Sequence, residues 1–240
     1  MIIVRGIELT RETLAKMIDH SVLHPDSTQE QYEEGIKKCW EYRFGTFCCN
    51  PNYLEASVKD LEGSGVHPTC VIDFPFGAGT HAIKLAAAED MVKKGTWCLD
   101  MVIDVGALKN GNYKLVTDEI RDVASMGVKT KIIIEAALLT PEQVVAACNC
   151  VAEGGGTYVK SSTGRHGGPE QRIVKLMRDS TPAHVGVKVA GTGAFWTPQI
   201  AFGCIVAGAD IIGTRAGDKI IDELPLIEET FYGPHVQIVH

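Results

Sequence analysis

The chain has 240 residues, 45% of them apolar and 22% charged, which is enough for a substantial core in one or two domains. A formal charge of −7 argues against a nucleic-acid partner, because phosphate backbones select basic faces. The start, Met1-Ile2-Ile3-Val4-Arg5, lacks a basic region followed by a long apolar run, and no uncharged stretch reaches bilayer length. A soluble cytoplasmic protein with no membrane partner is therefore expected.

The first predicted element is a helix over Thr10–Met17, leading into a strand at Ile18–Val22. Ser27-Thr28-Gln29-Glu30 has capping-box spacing, and Tyr32, Ile36, Cys39 and Trp40 then fall on one helical face. Strands are predicted at Thr46–Cys49, Thr69–Phe74 and Cys98–Val105. The helix around Ile83–Met91 is apolar on more than one side, which is compatible with a subunit contact. Gly127 ends a helix before the strand Thr130–Glu135. Thr140-Pro141-Glu142-Gln143 supplies an N-cap, a first-turn proline and a box partner. Strands follow at Thr157–Ser161 and Val185–Val189. Thr197-Pro198 then opens a helix that Gly208 closes before the last strand, Asp210–Thr214.

The strand interiors are near-continuous apolar runs such as Ile132-Ile133-Ile134, as expected when both sheet faces are covered. No flexible linker, low-complexity tract or residue-level repeat interrupts the rhythm. Eight βα units predict an α/β fold, a single (β/α)8 TIM barrel across 1–240 with an extra N-terminal helix. An open doubly wound sheet is the alternative, weakened by the lack of a Gly-x-Gly-x-x-Gly turn after the first strand. The eight cysteines read as buried free thiols of a reducing compartment. Cys148-Asn149-Cys150 lacks zinc spacing and has no second pair to answer it, so no metal site is expected.

A barrel's reactive end lies at the strand C-termini, and polar residues gather there. They are Asp19 and His20, Cys48 to Asn50, Asp73, Asp100 and Asp104, Glu135, Lys160, Lys188, and Thr214 with Arg215. Two lysines at strand mouths carry the most information. An ammonium is costly in an apolar strand, and facing ammoniums would push one toward the neutral, nucleophilic amine. Such an amine can form a Schiff base with a carbonyl substrate. Asp100, Lys160 and Lys188, on the fourth, sixth and seventh strands, could meet inside the barrel as a charge-balanced triad. A structural ion-pair network is the competing explanation. The loop Ser161-Ser162-Thr163-Gly164-Arg165-His166-Gly167-Gly168, together with Gly191-Thr192-Gly193 and Gly213-Thr214-Arg215, suggests a phosphate or other anion site. These glycines could also be simple turn formers.

Six stretches in order resemble the deoxyribose-phosphate aldolases, class I aldolases on a (β/α)8 barrel. They are Ile18-Asp19-His20-Ser21-Val22-Leu23-His24-Pro25-Asp26, Phe47-Cys48-Cys49-Asn50-Pro51, Val71-Ile72-Asp73-Phe74-Pro75-Phe76-Gly77-Ala78, the run Leu99 to Lys109, Lys131-Ile132-Ile133-Ile134-Glu135, and Val159-Lys160-Ser161-Ser162-Thr163-Gly164. The resemblance implies that Lys160 forms the Schiff base, Lys188 depresses its pKa, Asp100 takes part in proton transfer and Asp19 supports them. From the loops and strand ends themselves, Thr163, Gly164, Arg165, Gly191, Thr214 and Arg215 are the candidate anion-binding residues, and Cys48, Asn50, Asp73 and Glu135 the candidate pocket residues. The resemblance implies an aldehyde or sugar-phosphate substrate, no cofactor, and a homo-oligomer, dimer or tetramer.

Departures fall at the anion end. Where the family usually has Gly-Gly-Ile/Val-Arg-Thr, this chain reads Gly191-Thr192-Gly193-Ala194-Phe195-Trp196-Thr197, and Gly213-Thr214-Arg215-Ala216-Gly217 replaces a serine pair. The tail Val236-Gln237-Ile238-Val239-His240 lacks the terminal tyrosine of some members. Either Arg215 takes over the phosphate, or Phe195 and Trp196 narrow the pocket for another aldehyde, phosphorylated or uncharged. A non-covalent isomerase or synthase using Asp100 and Glu135, and a sugar-phosphate sensor without turnover, are the competing functional readings.

Overall fold

The computed structural model describes residues 2–168, 170–191 and 196–232. It opens on an antiparallel hairpin that the sequence reading did not anticipate, β1 (Ile3–Val4) and β2 (Ile7–Glu8). Two-residue strands are too short to show a period. The hairpin is fixed from outside: the Arg5 guanidinium donates to the Ala209 carbonyl at 3.0 Å and to Asp210 Oδ1 at 2.9 Å. The N-terminal helix follows at Arg11–Met17, with Thr10 and Thr13 capping each other's backbone.

Eight parallel strands then close a barrel: β3 (Ile18–Val22), β4 (Thr46–Cys49), β5 (His67–Ile72), β6 (Cys98–Val102), β7 (Lys129–Ile133), β8 (Tyr158–Lys160), β9 (Gly186–Ala190) and β10 (Ile211–Thr214). β10 pairs with both β9 and β3, which completes the ring. Helices lie between successive strands, so the fold is the (β/α)8 TIM barrel. Among the described residues no helix is long and apolar enough to cross a membrane.

Several strands stop earlier than their apolar runs suggest. β6 ends at Val102 rather than Val105, because the Asp104 carboxylate accepts the Ala107 N–H at 2.8 Å and caps a helix over Val105–Lys109. β5 ends at Ile72 and β7 at Ile133, and Asp73 and Glu135 beyond them both adopt left-handed backbone with φ 50°. Apolar character says what is buried, not where pairing stops. The helix Gln29–Tyr42 is capped one residue later than the Ser27–Glu30 frame, by Thr28 with Gln31. Thr140 with Gln143, and Thr197 before Pro198, cap their helices as the sequence indicates.

Strand alternation divides the buried residues into two environments. Val159, Val187, Val189 and Ile132 join the apolar shell between strands and helices. Their neighbours Lys131, Lys160 and Lys188 are also buried, but meet carboxylates inside the barrel. Gly213 on β10 makes room for one of them, since a Cβ there would lie 2.9 Å from Lys188 Cε.

Candidate active site

The barrel interior holds a charged cluster. Asp19, Thr69, Lys131 and Lys188 come from alternate strands β3, β5, β7 and β9, as the layers of such barrels do. Lys131 Nζ donates to Asp19 Oδ2 at 2.8 Å and to Thr69 Oγ1 at 3.5 Å, and lies 3.1 Å from Asp100 Oδ1. Lys188 Nζ donates to Asp19 Oδ2, and to Asp100 Oδ2 at 2.8 Å. Lys160 Nζ donates to the same Asp100 oxygen at 2.8 Å. Lys160 and Lys188 are register partners on β8 and β9, so their backbones hold the two amines side by side.

Among the described residues, three lysines therefore meet two carboxylates in a buried cluster. With every group ionised the interior would carry one surplus positive charge, an expensive state in a low dielectric. Lys131 and Lys188 each have both carboxylates as partners, whereas Lys160 has Asp100 alone. Lys160 is thus the cheapest to neutralise. The titration directions agree. Burial lowers Lys160 below the usual lysine value, Asp100 opposes that, and the charge on Lys188 lowers it further. Burial also works against the Lys188 ammonium, but Asp100 and Asp19 overcome it and hold that amine above the ordinary value. Lys131 is held well above it by the same two carboxylates. Burial raises Asp19, yet Lys131 and Lys188 bring it down to about 2. Asp100 is likewise held below the usual aspartate range by its three lysines.

A cavity of about 250 Å³ opens above this cluster, and Lys160 and Lys188 form its floor. Ser21, Leu23, His24, Phe74 and Trp196 line it, with Thr163, Arg165, Gly191, Thr214 and Arg215 from the late loops. No carboxylate lines it among the described residues. The lining is cationic while the acids sit beneath it, so the cavity suits an anionic, carbonyl-bearing molecule.

The other residues singled out from sequence fall elsewhere. Cys48 is buried in the wall next to the cluster, and burial pushes its thiol up to about 12, so it stays protonated. Asn50 donates to the His24 carbonyl at 3.2 Å. Asp73 accepts the Gly79 N–H at 2.8 Å and lies 3.8 Å from Lys84, a buried lysine paired with Glu119. Glu135 accepts the Thr163 N–H at 3.2 Å and its hydroxyl at 2.5 Å. None of these four lines the cavity. His20 faces outward and stacks on Phe44 at 5.1 Å, and burial, helped by Lys38, lowers it to about 4. Gly164, at φ 84°, sits between Thr163 and Arg165 without lining the cavity. The Gly191 carbonyl accepts the Trp196 indole N–H at 3.0 Å, and the Thr214 hydroxyl oxygen accepts the Ala216 N–H at 2.9 Å. Residues 192–195, Phe195 among them, and the tail 233–240 lie outside the described residues.

Sequence reasoning missed Lys131 altogether. The signal was present in Lys129-Thr130-Lys131: alternation in β7 puts Lys129 at the exposed strand start and Lys131 inside, opposite Asp100 in register. The triad read as charge-balanced is therefore part of a five-group cluster. Asp19, Cys48 and Asp100 approach to within 4.8 Å of one another, but they do not fit a metal. A cation there would have to displace Lys131 and Lys188, and the Cys48 thiol is protonated.

No family model matches the chain. Individual relatives do. The deoxyribose-phosphate aldolase of Streptococcus suis (strain 98HAH33) is 42% identical over 212 residues, 87% of this chain and 96% of that protein. That of Clostridium tetani (strain Massachusetts / E88) is 38% identical over 214 residues, covering 88% and 98%. The chain belongs to the deoxyribose-phosphate aldolase family. The solved structure of the Aeropyrum pernix deoxyribose-phosphate aldolase, described as tetrameric, superposes with a TM-score of 0.81 at 27% identity, over 91% of this chain and 93% of that one.

Proposed function

We propose that this chain is a lyase of the class I aldolase type, reversibly cleaving 2-deoxy-D-ribose 5-phosphate to D-glyceraldehyde 3-phosphate and acetaldehyde through a Schiff base on Lys160. The observation that carries this reading is the unequal pairing of the lysines: Lys160, at the cavity floor, has one carboxylate where Lys131 and Lys188 have two. The neutral Lys160 amine attacks the C1 aldehyde of the open-chain sugar and loses water to give an iminium. The C3 hydroxyl proton leaves toward Asp100 through a water molecule, and the C2–C3 bond breaks as its electrons flow into the iminium. C3 departs as the aldehyde of glyceraldehyde 3-phosphate and an enamine remains. The proton returns from the Asp100 side to C2, and water releases acetaldehyde and the free amine.

In this reading Lys188 stays charged and Asp19 keeps it so, while Arg165 and Arg215 receive the phosphate, a planar guanidinium being suited to bidentate pairing. The cavity without lining carboxylates supports a phosphorylated substrate over an uncharged one. Glu135 spends its carboxylate on Thr163, which tells against the non-covalent isomerase reading in which it acts as an acid or base. We further take the chain as one catalytic domain, working in the cytoplasm as a homo-oligomer. The free cysteines, all buried, and the exposed Phe76 and Ile83 agree with that.

Borohydride added during turnover should reduce the iminium and leave a mass adduct on the Lys160 peptide. The Lys160→Ala variant should lose both the adduct and turnover, by about four orders of magnitude or more. Absence of an adduct on any lysine would end the covalent reading.

A further inference from the structure

Glu135 is a buried carboxylate with an unusual arrangement around it. It leaves β7 in left-handed backbone, φ 50° and ψ 59°, a conformation that costs a non-glycine residue roughly 1–2 kcal/mol. Its side chain is 3% exposed, and among the described residues no lysine, arginine or histidine approaches within ion-pair distance. An isolated buried charge is retained only where hydrogen bonds offset its desolvation. Here both donors of one residue do so: the Thr163 N–H at 3.2 Å and the Thr163 hydroxyl at 2.5 Å. An apolar side chain would need no hydrogen bonds to be buried, so packing alone does not account for an acid there.

The contact has a direction. The Thr163 hydroxyl donates to Glu135 and accepts the Arg165 N–H at 3.1 Å, so the carboxylate fixes the backbone of Arg165 two bonds away. Arg165 then extends over the mouth, where its guanidinium donates to the Leu23 carbonyl at 3.3 Å and lines the cavity. The same loop is stitched on its other side to β9, with Ser162 Oγ donating to the Ala190 carbonyl at 2.7 Å and Ser161 Oγ accepting the Ala190 N–H at 3.1 Å. With both Thr163 donors committed to Glu135, Thr163 has neither left for a bound anion.

We propose that Glu135 is a positioning residue for phosphate specificity: its carboxylate holds Thr163, and through it Arg165, in the geometry that receives the substrate's phosphate. This deepens the aldolase reading and rests on it. Glu135 does not line the cavity, and among the described residues it forms no ion pair with Arg165 or Arg215.

The test compares cleavage of 2-deoxyribose 5-phosphate with that of free 2-deoxyribose in the intact chain. Glu135→Met keeps the length of the side chain but removes the oxygen that accepts from both Thr163 donors. It should lower the ratio of the two kcat/KM values by between about 10- and 100-fold, mainly through KM for the phosphate ester, the scale of a displaced binding group. Thr163→Val should lower the ratio similarly, whereas Thr163→Ser, which keeps both donors, should restore it. Equal losses on both sugars would mean that Glu135 only supports the fold, and an unchanged ratio in Glu135→Met would mean that it positions nothing. Either result overturns the proposal. Borohydride trapping on wild-type Lys160, run beside these assays, separates a failure of the aldolase reading from a failure of this inference.

Discussion

At the scale of single residues, the site is a problem of counting charges. Two carboxylates can satisfy two ammoniums, and the barrel supplies three. If Lys188 becomes Leu, the cluster retains Lys131 and Lys160 against Asp19 and Asp100, and the most favourable state is now the one with Lys160 charged. The acidic limb of the kcat/KM profile should move to higher pH by about 1–3 units, the range expected for a neighbouring charge at an effective dielectric near 20. The rate at neutral pH should fall with it, since less amine is free. A wild-type pH profile in this variant would show that Lys188 does not set the nucleophile's charge. Lys160 and Lys188 were legible in the sequence because each closes an apolar run at which a lysine has no structural reason to sit. Lys131 was not, because its run follows it and a lysine at a strand start looks like a solvated one. Only the alternation with exposed Lys129 separates the two cases.

At the scale of elements, strand count and order were readable, as were the ends of β3, β4 and β10, but the ends of β5, β6 and β7 were not. Apolar runs give the shell facing the helices, but the last paired residue depends on what the next loop does. Asp73 and Glu135 illustrate this. Placed after apolar strands they suggest acids aimed into the mouth, yet left-handed backbone turns both back onto loop N–H groups. Residue type gave a weak signal at Asp73, since aspartate is enriched among the non-glycine residues of this conformation, and none at Glu135. Gly213 is the converse, a glycine that reads as a turn former but lies inside β10 to admit Lys188. In Gly213→Ala the new methyl would meet Lys188 Cε at 2.9 Å, and that side chain cannot swing aside while two carboxylates hold its amine. Overpacking of this kind costs about 1–3 kcal/mol, and part of it should appear as a displaced Lys188. Turnover should fall about tenfold or more with only a modest loss of Tm, a split measurable by kinetics beside thermal unfolding. A lowered Tm with unchanged kinetics would show that β10 absorbs the methyl elsewhere.

At the scale of the whole molecule, the cluster that serves the chemistry also sets how the barrel responds to acid. Asp19 titrates near 2 in the folded chain, against about 3.9 for an unfolded aspartate, and Asp100 is depressed as well. A carboxylate with a depressed folded pKa contributes its stability above the unfolded value and loses it as pH falls toward the folded one. The contribution of Asp19 is therefore present in full above pH about 5 and disappears between about 4 and 2, on the order of 2–3 kcal/mol for a shift of this size. The raised pKa values of Lys131 and Lys188 act at the opposite end: their contribution is complete below about pH 10 and is lost only above it, so they leave the acid window untouched. Urea unfolding followed from pH 6 to pH 2 should accordingly show stability falling steeply below about pH 4. Asp19→Asn should lower the plateau, because two buried ammoniums lose a shared partner, and should flatten the slope below it, because one proton fewer is taken up on unfolding. An acid slope identical in the two proteins would mean that surface carboxylates govern acid unfolding, and that the interior charges are balanced without Asp19.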